Sequence, residues 1–379
     1  MLRNGESLNS RPSGGPDRLL KNPTDNAEPA ELAEHSWQKG SAGSARSALI
    51  GVFQRAAEGL RYVLIGALIC STPALAQVQQ RRPQPGTKLT DDQIKEAVAP
   101  MRAGRKLTPR SWPNGAKVAV CLSWDMDNES FNIASGNTAP VVLSQGQYGA
   151  TEGVRRIMEL YDKYNIPGSF YIPAVSGLLY PEMIQEITRR GRHEIGIHGW
   201  IHESLPDIDD KAEEERLLNK AIDFWTKTLG KRPAGYRAPS WAFSKHTLDL
   251  IRNAGFEYDS SAMGMDEPYE LLANGTQTGM VELPVDWILD DYPYFVSSGA
   301  LPSPELIFKV YQDEFDQAYK EGTMFMLTMH PMVSGHRSRI MYLDKLIAYM
   351  KAKPGVWFAT GQQIAEYVKR NARLDQTAR

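Results

Sequence analysis

Cysteine is nearly absent from this chain: Cys70 and Cys121 are the only two in 379 residues. Cys70 sits in an apolar run near the N-terminus and Cys121 in a strand-like segment. A disulfide framework is therefore excluded, which a domain of this size tolerates because its core is large enough. Excess charge is missing as well. Lys and Arg total 43 against 45 Asp and Glu, a net charge of -2, so nothing marks a nucleic-acid partner. Internal repeats, heptads and low-complexity tracts are absent. Neither G-x-G-x-x-G after the first strand nor G-x-x-x-x-G-K-[ST] occurs, so no nucleotide cofactor is indicated. The longest apolar run falls short of the roughly 20 residues that a membrane span needs.

That run is Arg61-Tyr-Val-Leu-Ile-Gly-Ala-Leu-Ile-Cys-Ser-Thr-Pro-Ala-Leu-Ala76-Gln77. An arginine leads it and Ala74-Leu-Ala76 ends it with small-x-small spacing, the pattern of a secretory signal. An apolar helix packed on the domain, or a membrane anchor, is the alternative. Ala67-Leu-Ile-Cys70 makes a poor lipobox, so no lipid anchor is expected. Upstream, Met1 to Arg46 is rich in Ser, Gly, Pro, Asn and Glu without apolar periodicity and reads as disordered. A signal starting some fifty residues in implies a true start downstream of Met1, near Val52. The expected organisation is a leader over 1–50, a signal over 51–76, a polar arm over 77–115, a catalytic domain over 116–370 and a tail over 371–379. The mature protein is then exported, periplasmic or extracellular, with no stable membrane span.

The arm carries one predicted helix, Asp91 to Arg102. From Lys117 onward short apolar segments alternate with helical ones. Val118 to Leu122, Ser169 to Ile172, Glu194 to Ile197, Val281 to Leu283, Met324 to Thr328 and Val356 to Phe358 read as strands. Glu152 to Tyr164, Pro181 to Arg190, Lys211 to Leu229, Thr247 to Ala254, Pro304 to Tyr319, Met341 to Met350 and Gln362 to Arg370 read as helices. The helix over Lys211 to Leu229 is the clearest, with Gly230 as its stop. Such alternation predicts an α/β protein with a parallel sheet, and its length suits a (β/α) barrel better than two Rossmann halves.

Barrel enzymes keep their chemistry at the C-terminal ends of the strands. Five clusters stand there: Ser123-Trp-Asp125-Met-Asp127-Asn-Glu129, His198-Gly-Trp-Ile-His202-Glu203, Tyr236-Arg237-Ala-Pro239-Ser240-Trp241, Pro284-Val-Asp286-Trp287 and Met329-His330-Pro331. Two imidazoles and one carboxylate leave a metal with an open position. His198 and His202, four residues apart, with a carboxylate from the first strand, supply that set. A divalent ion lowers the pKa of water to about 7; a second carboxylate could take its proton and a third imidazole could protonate the leaving nitrogen. Each cluster alone has a bland reading: H-x-x-x-H arises by chance, D-x-D caps helices and turns, Arg237 could be a surface ion pair and His330 a strand end. Three of the seven histidines falling at strand ends beside acids outweighs those readings. His193, His246 and His336 are given no role, and Glu129 and Glu203 read as solvated loop acids or extra ligands.

In order and spacing these clusters resemble the polysaccharide deacetylase family over roughly Lys117 to Val368. The resemblance implies a distorted, often incomplete (β/α) barrel and a hydrolase of carbon–nitrogen bonds other than peptide bonds. It also implies one divalent ion, zinc as a rule, held by Asp127, His198 and His202. Asp125 matches the base, Arg237 its anchor, His330 the acid, Asp286-Trp287 the pair that tunes and walls the pocket, and Leu327 the acyl-pocket residue. Trp241 and Trp287 are expected to meet substrate. Departures stand out: Met126 separates the aspartates, Ser240-Trp241 follows Pro239, and Asp286-Trp-x-Leu-Asp-Asp291 replaces the usual fourth motif. These variants look like a branch holding a peptidoglycan deacetylase type and cyclic amide hydrolases, some of them metal-free.

Three functions remain in competition: N-deacetylation of N-acetylglucosamine units in a glycan, opening of a small cyclic imide or ureide, and catalytically silent carbohydrate binding. Export favours the first, and the complete acid, base and ligand set disfavours the third. The partner is then a glycan or a small cyclic amide, and homo-oligomerisation stays open.

Overall fold

The computed structural model describes residues 86–297 and 302–374, within a compact unit spanning Arg81–Arg379. The leader and the presumed signal lie outside the described residues.

Among the described residues ten strands form one sheet: β1 (Arg102–Lys106), β2 (Val118–Asp125), β3 (Ser169–Ile172), β4 (Glu194–Ile197), β5 (Gly235–Tyr236), β6 (Tyr258–Asp259), β7 (Tyr269–Ala273), β8 (Thr276–Glu282), β9 (Met324–Met329) and β10 (Val356–Phe358). Their order is β1-β7-β8-β6-β5-β4-β3-β2-β10, with β9 also paired to β2. From β8 through β6, β5, β4, β3 and β2 to β9 every pairing is parallel. All eight residues of β2 and all six of β9 are buried, as strands covered on both faces must be. The curl is brought round at the open side by one bridge, Asp290 to Thr328. The result is the distorted, incomplete barrel that the alternation predicts.

Side-chain alternation separates two layers. Val118, Val120, Leu122 and Trp124 of β2 and Phe325, Leu327 and Met329 of β9 face the larger core under the helices. Ala119 and Cys121 of β2, with Met324 and Met326, face a second core shared with Tyr171 and Tyr258. The long helix Lys211–Leu229 begins at Asp210, whose carboxylate accepts from the Ala212 N–H, and ends at Gly230 with φ 69°. Its Leu218, Ala221 and Trp225 are buried, and the Trp225 indole donates to the Ile172 carbonyl at 3.2 Å.

The arm differs from expectation. Its helix stops at Val98, and Arg102–Lys106 instead forms β1, antiparallel to β7. Trp112 is buried and donates to the Gly322 carbonyl at 3.1 Å, so sheet and core both extend upstream of residue 116. β7 and β8 form a hairpin that periodicity did not reveal, although Asn274-Gly275 at its tip, both at positive φ, is a strong hairpin signal.

Candidate active site

β2 ends on Asp125, which by alternation shares the face of Ala119, Cys121 and Ser123, opposite the larger core. The strand thus delivers a carboxylate to the barrel mouth. Arg237, directly after β5, is fully buried beneath it. Its guanidinium donates to Asp125 Oδ1 at 2.7 Å, Ser123 Oγ at 3.1 Å, the Ser260 carbonyl at 2.8 Å and Ser260 Oγ at 2.8 Å, and lies 3.9 Å from the centre of the Tyr171 ring. The Trp241 indole donates to Asp125 Oδ2 at 3.2 Å. Burial alone would raise the Asp125 carboxyl, but the Arg237 charge and hydrogen bond, with the His198 and His330 imidazoles, together outweigh it and hold it down at about 2. Asp125 is a buried, doubly anchored carboxylate.

Asp127 stands two residues on. Its Oδ1 lies 3.5 Å from His198 Nε2, and its Oδ2 lies 3.5 Å from His202 Nε2 and 3.6 Å from His330 Nε2. Oδ1 is buried with no hydrogen-bond partner, a costly arrangement unless a cation completes it. His198 Nδ1 lies 2.8 Å from the Arg237 carbonyl. A carbonyl only accepts, so Nδ1 carries the proton and Nε2 turns its lone pair toward Asp127. Burial lowers both imidazoles, His202 to about 4, which keeps them neutral and able to ligate near pH 7. Asp127, His198 and His202 are all buried, with ligand atoms close enough to hold one metal ion. The donor set fits a divalent cation.

The loop carrying the two histidines is held by Glu203, whose carboxylate accepts from the Trp200 N–H at 3.0 and 2.9 Å and the Ile201 N–H at 2.8 Å. Glu203 is buried and is neither a solvated loop acid nor a ligand. His202 itself has φ 63°, a conformation sparsely populated by residues other than glycine and enriched at functional sites. Glu129 is likewise buried and accepts from the Tyr180 hydroxyl.

His330 follows β9. Its backbone N–H donates to Asp291 Oδ1 and Oδ2 at 3.1 and 3.0 Å, and its Nδ1 pairs with Asp291 Oδ1 at 2.7 Å. Asp290 Oδ1 lies 3.5 Å from the same nitrogen. Burial would lower this imidazole, yet the Asp291 hydrogen bond and the charges of Asp291, Asp290 and Asp127 raise it well above its ordinary value. His330 is held as an imidazolium.

Two residues read from the sequence fall elsewhere. Asp286 is exposed and caps a short helical turn by accepting from the Ile288 N–H at 3.0 Å. The carboxylate that orients His330 is Asp291, because the turn Trp287–Leu289 carries the chain back across the mouth before reaching it. Leu327 is buried in the helix-side core; strand alternation points it away from the mouth, while the neighbouring Met326 lies 3.8 Å from Arg237 Nη2. Of the histidines given no role, His193 Nδ1 accepts from the Gly168 N–H, His246 precedes the helix Thr247–Asn253, and His336 stacks on Tyr148 at 3.9 Å.

A cavity of about 350 Å³ opens over these groups, lined among others by Asp125, Asp127, His198, His202, Asp290 and His330. Its wall is aromatic: Trp241 stacks on Trp287 at 4.4 Å, and Phe131 meets His202 at 5.3 Å and Tyr292 at 6.5 Å, edge to face. Phe131 sits in no spaced motif and was not legible as a site residue, while Asp290 lies within Asp286-Trp-x-Leu-Asp-Asp291 but was given no role there.

The family profile described as polysaccharide deacetylase matches residues 138–258. Peptidoglycan deacetylase of Helicobacter pylori is 32% identical over 290 residues, which cover 68% of this chain and 98% of that protein. A peptidoglycan deacetylase-like protein of Gibberella zeae is 26% identical, over 66% of this chain and 86% of its own length. Among solved structures, a candidate polysaccharide deacetylase of Mycobacterium smegmatis superposes with a TM-score of 0.64 at 36% identity, covering 69% of this chain and 94% of its own. An allantoinase structure superposes with a TM-score of 0.62 at 24% identity over 70% of this chain and 93% of its own, a likeness of fold.

Proposed function

The chain belongs to the polysaccharide deacetylase family of carbon–nitrogen hydrolases, and from that premise we propose that it is a divalent-metal-dependent N-deacetylase acting on N-acetylglucosamine units of a cell-wall glycan. One observation carries the reading. The buried, unpartnered Oδ1 of Asp127 lies 3.5 Å from the lone-pair nitrogen of His198 and its Oδ2 lies 3.5 Å from His202 Nε2, between an arginine-anchored carboxylate and a carboxylate-held imidazolium.

Asp127, His198 and His202 would hold the ion, zinc being the commonest in such a donor set. Bound there, a divalent ion would polarise the amide carbonyl and make water easier to deprotonate. Asp125 takes the proton from that water; Arg237 and Trp241 fix its two oxygens and keep it ionised. His330, charged and oriented by Asp291, gives a proton to the leaving nitrogen. Trp241, Trp287, Tyr292 and Phe131 exclude water and offer flat faces on which a sugar ring can pack. Retention of the whole set argues against a silent carbohydrate binder, which has no use for an acid and a base. No helix among the described residues is long and apolar enough to cross a membrane. Export through the run ending at Ala76 would bring the enzyme to its glycan, and N-terminal sequencing of the exported protein tests that.

A small cyclic imide would also fit a cavity of about 350 Å³. A coupled acetate assay on the metal-loaded protein separates the two. Acetate released from peptidoglycan or N-acetylglucosamine oligomers supports the deacetylase; ring opening of a cyclic imide with no acetate from any glycan refutes it. Activity that survives exhaustive chelation refutes the metal.

A further inference from the structure

Behind Arg237 lie two carboxyl groups that the chemistry above does not use. Asp259 ends β6 and Glu282 ends β8, and the two are direct register partners in this parallel pair. Neighbouring residues in register point to the same face of a sheet, and both are fully buried. The charged and titratable groups around them are few. Arg237, directly after β5, is engaged by Asp125 and Ser260. Tyr236 and Tyr269 are buried phenols, the latter accepting from the Gly264 N–H. On the far face of β7, Glu270 pairs with Arg105. Among the described residues no further cation faces the pair to neutralise two adjacent carboxylates.

The hydrogen bonds say where a shared proton must sit. Ser261 Oγ accepts from the Ala238 N–H at 2.8 Å, so its own proton goes to Asp259 Oδ1 at 2.9 Å. Asp259 Oδ2 accepts from the Ser261 N–H at 3.0 Å. Both Asp259 oxygens are therefore acceptors. Glu282 Oε1 accepts twice, from the Ser261 and Ala262 N–H groups at 2.9 Å each. Glu282 Oε2 is buried and has no partner. An acceptor-only oxygen in that position is costly, whereas a protonated one donates to Asp259 and satisfies both residues. Burial pushes both carboxyls up, Asp259 to about 6 and Glu282 well above its usual range.

We propose that Asp259 and Glu282 form a proton-sharing carboxylic acid–carboxylate pair, with the proton on Glu282, that positions the active-site arginine. The pair clamps the Ser260–Ala262 turn. Ser260 of that turn takes two hydrogen bonds from Arg237 and donates to the Leu283 carbonyl, while Ser261 holds the backbone of Ala238. Arg237 in turn sets one oxygen of Asp125. Glu282 and Asp259 are thus positioning residues two contacts removed from the base; this catalytic half rests on the reading of Asp125 given above.

Two isosteric variants test it. Glu282→Gln keeps a carbonyl toward the Ser261 and Ala262 N–H groups and puts an amide N–H where the shared proton sat. Its kcat is expected within about threefold of wild type, since no hydrogen bond is lost. Asp259→Asn must turn an amide N–H against either the Ser261 hydroxyl or the Ser261 N–H. Its kcat is expected to fall by on the order of ten- to a hundredfold with KM and metal content unchanged, the signature of a displaced base. The second readout needs no substrate. A carboxyl raised in the folded state contributes stability at low pH that is lost as pH rises, and glutamine does not titrate. The Tm of Glu282→Gln minus that of wild type should therefore grow between about pH 5 and about pH 8. A flat difference, or Glu282→Gln as damaging to kcat as Asp259→Asn, overturns the pair. If the enzyme proves to act on another substrate, or Asp259→Asn fails to fold, the Tm comparison still decides it.

Discussion

Replacing Asp291 by asparagine should move the alkaline limit of activity without removing the metal. Asp291 is fully buried and makes three contacts to His330, two to its backbone N–H and one of 2.7 Å to Nδ1. The amide can keep one backbone contact and a neutral hydrogen bond to Nδ1, but not the charge. A hydrogen bond to a charged group contributes about 1.5–3 kcal/mol, against roughly 0.5–1.5 kcal/mol for a neutral one. The difference of about 1–2 kcal/mol amounts to about one pH unit at 1.36 kcal/mol per unit. The sign follows from the imidazolium being the form that Asp291 holds. The His330 pKa is raised above its ordinary value, so both its acid function and the stability it contributes are present at low pH and lost as pH rises through that value. Without the carboxylate the loss begins earlier. The kcat/KM of the metal-loaded variant, followed against pH, should show its alkaline limb displaced downward by about one unit, with the acid limb, set by Asp125, unmoved. A uniform fall at every pH with an unmoved alkaline limb would refute the role of Asp291, as would metal lost from the variant.

The other predictions concern the remaining groups of the site. His202→Ala should lose both bound metal, by elemental analysis, and activity while its circular dichroism is unchanged. Asp125→Asn should cost about 10²–10⁴ in kcat, the worth of a positioned proton-transfer group, with metal retained; loss of the ion there would exchange the roles of the two aspartates. Trp287 is half exposed and stacks on the buried Trp241, so Trp287→Ala should raise KM for a glycan oligomer with kcat and Tm nearly unchanged.

The alternation of strands and helices was legible because each element is periodic and long enough to bury one face, and the helix Lys211–Leu229 appeared with the bounds its cap and stop residues imply. Asp125, Asp127, His198, His202, Arg237 and His330 were legible for a related reason. Ends of parallel strands converge on one mouth, so chemistry-bearing residues at those ends are brought together whatever the intervening loops do. What the sequence could not decide is which way a side chain points once a strand or loop has turned. Asp286 and Asp291 are both aspartates after β8, and only the turn at Trp287–Leu289 puts the second against His330 and leaves the first in solvent. Leu327 lies three residues before His330 in register with β2, but alternation faces it toward the helices. Glu203 looked like a solvated acid until its loop closed around it, and the pairing of Asp259 with Glu282 joins residues on strands whose adjacency only the sheet order determines. Spacing along a chain fixes which residues share an element; which groups share a proton or a charge depends on distances across elements, and those exist only after the sheet has curled.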